Sequence, residues 1–353
     1  MKKVFLIAAA VVALAACSKN EVLPSSSINN EISFNVAPRT KAAPEAFDTH
    51  NVFASWAYYL PKGSTWDARA TGVTPQEYIV GRKISYVSGV WKEDGKTYYW
   101  PKDGGSLTFF AYSLNRNNLT LTGGDSHFAC SADHGINGAI DLKANKNTDF
   151  MVAEIAKDKT ANESLNSING VPTLFKHKLS KVACKVKTAS DYPNVKFELN
   201  KIEFLNVSFF ATYGQFIADG TGTIKEVITP GPNNTIQNTP QVYTSAIQEI
   251  TMTETDVANE DVVIYIPQTF ADETSKIKVT YTIKTTVEGS TPGSTTEVLQ
   301  TVEREYPIKN QFAEWEMGKR YIFNLTFSLD EITWAPAVEP WEDVTSGTTV
   351  DVK

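Results

Sequence analysis

Glu31–Lys41 reads EISFNVAPRTK. Ile32, Phe34 and Val36 alternate with Glu31, Ser33 and Asn35, so one face is apolar and the other polar. A period of two is the mark of a half-buried β-strand. Pro38 ends the pairing, because it has no amide hydrogen to donate. Arg39 and Lys41 follow, both recognition points for a trypsin-like protease. One cut after Arg39 would free the body from everything upstream and take an apolar strand out of it. The plainer alternative is simply the first strand of a sandwich.

Upstream, Lys2 and Lys3 precede an apolar run, Val4–Leu14, that is too short to span a bilayer stably. Leu14-Ala15-Ala16-Cys17 then has the form of a bacterial lipobox. Residues 1–16 are expected to be a lipoprotein signal peptide. Cys17 is the expected lipidation site, carrying acyl chains that hold it in a membrane leaflet. An ordinary signal peptide with a chance cysteine is the alternative. Residues 17–30 are polar, with Pro24 and a run of serines, and read as a flexible leash.

The 353 residues suffice for about two domains. A hydrophobic share of 42% supports real cores, and a charged share of 21% is too low for a disordered chain. The formal net charge of −7 becomes −9 once the signal with Lys2 and Lys3 is removed. That acidity, without any Lys/Arg cluster, argues against nucleic acid as a partner. Cys130 and Cys184 are the other cysteines. Two cysteines make no disulfide framework, and Cys184, within Val182-Ala183-Cys184-Lys185-Val186, reads as a small hydrophobe on a strand face; their pairing stays open.

From Asn51 onward the chain is a series of short alternating or apolar runs split by Gly, Pro, Asn and Asp. Val52–Leu60, Lys83–Val87, Thr97–Trp100, Leu107–Ser113, Phe150–Ala156 and Phe175–Val186 are candidate strands. Such spacing predicts an all-β sandwich. Within the last run, Phe175, His177 and Leu179 share one parity and Val182, Cys184 and Val186 the other, which predicts a bulge or bend near Ser180–Lys181. Thr188–Asn194 is a polar turn and sets the expected boundary, giving domains 31–190 and 191–353. In the second block, Val262–Ile266 reads as a central strand. Lys276–Lys284 alternates with Ile277, Val279, Tyr281 and Ile283 inward, and Val298–Ile308 is expected to return antiparallel to it. Tyr321–Leu329 alternates likewise. Trp334–Glu339 and Pro340 read as a proline-punctuated spacer, followed by a tail, 344–352, with Val344, Thr348, Val350 and Val352 on one parity. Extended, that tail spans about 30 Å.

No catalytic or metal-binding constellation emerges, and no cofactor is expected. The residues Asp125, His127, Cys130, Asp133 and His134 match no standard metal-ligand spacing. His177, on an apolar strand face, reads as a hydrogen-bonded core histidine. Gly220-Thr221-Gly222 lacks a phosphate-loop lysine, and no nucleophile elbow is present. Trp56, Tyr58, Tyr59, Trp66, Trp91, Tyr98, Tyr99 and Trp100 suit either core packing or a platform for sugars.

Several segments, in order, resemble the fimbrillin family, the type V pilins of Bacteroidia. They are Tyr98-Tyr99-Trp100-Pro101 with Leu107–Tyr112, then Asp149–Ala153, Phe175–Val182 and Ile266-Pro267-Gln268-Thr269. Met317–Tyr321, continuing through Leu329–Ile332 to Trp341, is similar to the family's C-terminal signature. The resemblance implies two tandem transthyretin-like Greek-key β-sandwich domains behind a lipoprotein signal peptide. It implies export to the outer membrane and cleavage by an arginine-specific protease, here at Arg39. It further implies a fimbria of like or unlike pilin subunits, in which a neighbour's C-terminal strand replaces the one removed. On this chain the displaced strand is Ile32, Phe34 and Val36, and the donor strand Val344, Thr348, Val350 and Val352.

The physics has the same sign. Uncovering Ile32, Phe34 and Val36 costs about 5–9 kcal/mol as an upper figure. The removal also leaves an unpaired sheet edge, which a donor strand would close. The donor is less apolar than the strand it replaces, since Ser346 and Thr348 take central inward positions. A non-enzymatic stalk or anchor subunit is the expected function. The alternative is a surface lipoprotein that never polymerises and binds a glycan or another host or bacterial surface ligand.

Overall fold

The computed structural model describes residues 30–36, 47–67, 72–114, 128–142, 146–161, 170–217, 224–231 and 240–341. Cys17, Arg39, Asp125, His127 and the tail 344–352 lie outside them. Among the described residues the regular elements are strands, apart from one 3-10 turn at Ile308–Asn310.

The N-terminal body is built on a shared wall. Phe53–Leu60 (FASWAYYL) pairs antiparallel with Ser106–Ser113 (SLTFFAYS), from Ala54 opposite Tyr112 to Leu60 opposite Ser106. Neither strand has a polar face, and both are buried on both sides. Alternation sends Phe53, Ala57, Leu107, Phe109 and Ala111 into one core. It sends Ala54, Trp56, Tyr58, Phe110 and Tyr112 into another. Around the first core the sheet continues through Gln76–Val87, Val90–Glu93 and Phe34–Asn35 to Val171–Pro172. In the other direction it continues through Met151–Ala153 to Phe175–His177. The second core is covered by a sheet in the order Ile224–Pro230, Phe210–Ile217, Gly135–Asp141, Phe128–Ser131.

The C-terminal body packs two sheets face to face. One runs Thr255–Asp256, Ser180–Thr188, Lys319–Phe327, Ile332–Pro340. The other runs Gln241–Thr244, Val195–Leu205, Lys276–Glu288, Thr295–Pro307. Ile277, Val279, Tyr281 and Ile283 face inward as their alternation requires, against Tyr321, Phe323, Leu325 and Phe327. Leu329 lies beyond its strand and is exposed. Thr295–Pro307 returns antiparallel along Lys276–Glu288, as expected. The fold is therefore all-β with tandem sandwich bodies.

Three local expectations change. Phe175–Val186 is two strands joined through a bend at Leu179, next to the expected Ser180–Lys181, and not one bulged strand. Phe175–His177 pairs with Met151–Ala153 in the N-terminal body, whereas Ser180–Thr188 runs parallel to Lys319–Phe327 in the C-terminal one. The parity switch marks a crossing between cores: Phe175 packs in the first, Leu179 in the second, and Val182, Cys184 and Val186 in the third. Pairing also crosses the expected division between 31–190 and 191–353. Ser180–Thr188 belongs to the C-terminal sheets, and Phe210–Ile217 reaches back to pair with Gly135–Asp141. Finally, the expected spacer is the strand Ile332–Pro340, paired from Ile332 opposite Phe327 to Pro340 opposite Lys319. It lies at a sheet edge, where Pro336 and Pro340 forfeit no ladder bond on the open side.

Candidate strand slot and C-terminal anchor

Ile32, Phe34 and Val36 are buried, and Ser33 and Asn35 are half-buried, so the alternation read from the sequence is the alternation of the structure. Phe34 meets Phe53 and Phe109 edge-on, with ring centroids 5.5 and 5.8 Å apart. The strand lies second from the end of its sheet, between Val90–Glu93 and Val171–Pro172. On one side Ile32 N donates to Tyr98 O and Trp100 N donates to Asn30 O, at 2.8 and 2.9 Å. On the other, Val171 N donates to Ser33 O and Thr173 N to Asn35 O, at 2.7 and 2.8 Å. The strand thus occupies a slot with two hydrogen-bonding lips, not the single open edge expected from sequence. Gly170 lets the second lip close: with φ +81°, a Cβ there would stand 2.7 Å from the Phe34 carbonyl carbon.

Phe47 completes the lining. It stacks on Phe175 at 5.0 Å and packs against Phe53 and Trp91. Because Phe47 follows Arg39 in sequence, a cut at Arg39 would leave it in place.

The C-terminal strand ends at a second built feature. Trp341 stacks on His177, with centroids 4.0 Å apart and planes 8° from parallel, and its main-chain N–H donates to Gly318 O at 2.8 Å. His177 is buried and pairs through Nδ1 with Asp149 Oδ2 at 2.7 Å, the core histidine the sequence suggests. The next residue, Lys178, is also buried and donates to Glu226 Oε2 at 2.5 Å. Tyr213 donates its hydroxyl to Glu226 Oε1 at 2.8 Å. Burial pushes the Glu226 carboxyl up, but the Lys178 charge and the hydrogen bonds from Lys178, Tyr213 and Gln215 outweigh it and hold the pKa below its ordinary value. Burial, with the Glu226 charge, pushes the Tyr213 hydroxyl well up, so it remains a donor. Sequence reading singled out neither Trp341 as an anchor nor the Lys178–Glu226 pair, since their partners are remote in the chain.

The remaining aromatic candidates divide between core and surface. Trp56, Tyr58, Trp66, Trp91 and Trp100 are buried; Tyr59 and Tyr98 are half-buried, and Tyr99 is exposed. Cys184 lies in the C-terminal core and Cys130 on an edge strand, and both are free thiols. Among the described residues no group of three His, Cys, Asp or Glu is placed to hold a metal.

The chain is all-β, in tandem sandwich bodies, with its first strand seated between two others. A fimbrillin-like family model matches residues 40–341, and the chain belongs to the fimbrillin-like family. Membership carries a fimbrial, adhesion-related role at the cell surface. Among solved structures, the chain is similar to a fimbrial protein from Bacteroides vulgatus, with 20% identity, a TM-score of 0.62, and coverage of 89% of this chain and 100% of that one. It is also similar to a structure described as a cell adhesion protein from Bacteroides uniformis, with 17% identity, a TM-score of 0.51, and coverage of 89% and 99%. At these identities the likeness is one of fold. No curated protein matches the chain.

Proposed function

We propose that this protein is a stalk or anchor subunit of a cell-surface fimbria, exported as a lipoprotein through Cys17 and trimmed after Arg39 by an arginine-specific protease. Trimming empties the slot of Ile32, Phe34 and Val36. The tail 344–352 of a neighbouring subunit, with Val344, Thr348, Val350 and Val352 on one face, then enters it.

One observation carries this reading. The strand just upstream of Arg39 contributes three buried side chains, Ile32, Phe34 and Val36, yet is held by main-chain bonds that any strand can make. Its loss would cost about 5–9 kcal/mol as an upper figure and orphan polar groups on both lips. A second strand offsets both deficits. N-terminal sequencing of the mature surface protein tests the trimming step. A start at Thr40 is expected for a stalk subunit, and a start at lipidated Cys17 contradicts the stalk role.

A further inference from the structure

We propose that Gly170 is the sill over which any strand must lie to fill the slot, and that the lip beside it sets which tail residues point inward. This deepens the donor-strand reading and rests on it for the incoming strand. A Cβ at Gly170 would stand 2.7 Å from the Phe34 carbonyl carbon, and 2.9 Å from the Phe34 nitrogen and the Ser33 carbonyl carbon. The obstacle is main chain. Every strand brings the same main chain, so the restriction applies whatever sequence enters.

The next two donors of the lip, Val171 N and Thr173 N, bind Ser33 O and Asn35 O. They stand on alternate residues, so an occupant must offer them alternate carbonyls and turn the residues between inward. Laid in the same direction, the tail meets this with Thr349 and Asp351 on the lip and Thr348, Val350 and Val352 inward. Registers shifted by two or four residues bring Ser346 inward instead of a valine. Val350 then takes the place of Phe34, beside Phe53 and Phe109, and fills it less completely.

Gly89 supplies the control. Its φ is +87°, close to that of Gly170, and nothing lies within 4 Å of a Cβ built on it. Gly89→Ala therefore carries a similar backbone penalty without the obstruction.

The test uses the full chain, first uncut and then treated with trypsin. In the uncut chain, Gly170→Ala should speed hydrogen exchange at the Val171 and Thr173 amides by at least about tenfold relative to Gly89→Ala. Equal exchange overturns the sill. After cutting, wild type and Gly89→Ala should polymerise, Gly170→Ala should not, and Val350→Phe polymers should dissociate about tenfold more slowly than wild type. Polymerisation of Gly170→Ala equal to that of Gly89→Ala overturns its role for the incoming strand. Faster dissociation of Val350→Phe polymers overturns the register. A cut wild type that stays monomeric contradicts the donor-strand reading instead, and the exchange arm still decides whether Gly170 seats the resident strand.

Discussion

Lys178 is 5% exposed, and its ammonium group is matched by the Glu226 carboxylate at 2.5 Å. Removing one partner of a buried pair leaves an uncompensated charge, which costs about 3–5 kcal/mol when both are fully buried. The Glu226 side chain is 28% exposed, so Glu226→Gln is expected to cost less, about 2–3 kcal/mol at pH 7. The folded pKa of Glu226 lies below its ordinary value of 4.5. Its contribution is therefore fully present above 4.5 and fades as pH falls through the depressed folded value. Urea unfolding of both proteins across that range should show the gap narrowing with acid. A gap that stays constant would mean that this carboxylate is not the partner that matters to Lys178. Phe34 makes the same point for apolar groups: its ring is held edge-on by Phe53 and Phe109, which would both remain in the body after the proposed removal of the first strand.

At the level of elements, the sequence is most legible where one strand meets one core. Lys276–Lys284 and Tyr321–Phe327 alternate, and their apolar faces are the buried ones. Ile32, Phe34 and Val36 were readable for the same reason. The lips of their slot were not, because Tyr98, Gly170 and Val171 are distant in sequence, and a lone glycine says nothing about which main chain approaches it. Local pattern cannot say that Phe210–Ile217 pairs back with Gly135–Asp141. Ile332–Pro340 was hidden by its prolines, which break a central strand but are tolerated at an edge. That strand makes its own prediction. A chain ending at Pro340 loses the Trp341 stack on His177 and the bond to Gly318, whereas one ending at Trp341 keeps both. The shorter chain should be less stable by about 1–3 kcal/mol in denaturant unfolding. Equal stabilities would show that Trp341 anchors nothing.

Across the whole molecule, the cores are joined by strands that belong to one body in sequence and another in space. Leu179 packs in the second core with Ile264 and Ile266, while Val182 starts the third. Trp341 ties the last strand back to His177 in the N-terminal body, and in sequence it is followed by the tail proposed as donor. The slot it is proposed to fill lies in the N-terminal body, around Phe34. On the proposed reading a subunit would present an acceptor in its N-terminal body and a donor in the tail after Trp341, which is the arrangement an open chain of like subunits requires. The mass distribution of the full chain after treatment with an arginine-specific protease, which leaves Lys41 uncut, with Arg39→Ala alongside, bears on this most directly. A ladder of multiples of the trimmed subunit is predicted for wild type, with Arg39→Ala staying monomeric. A single monomeric species for both would contradict the account.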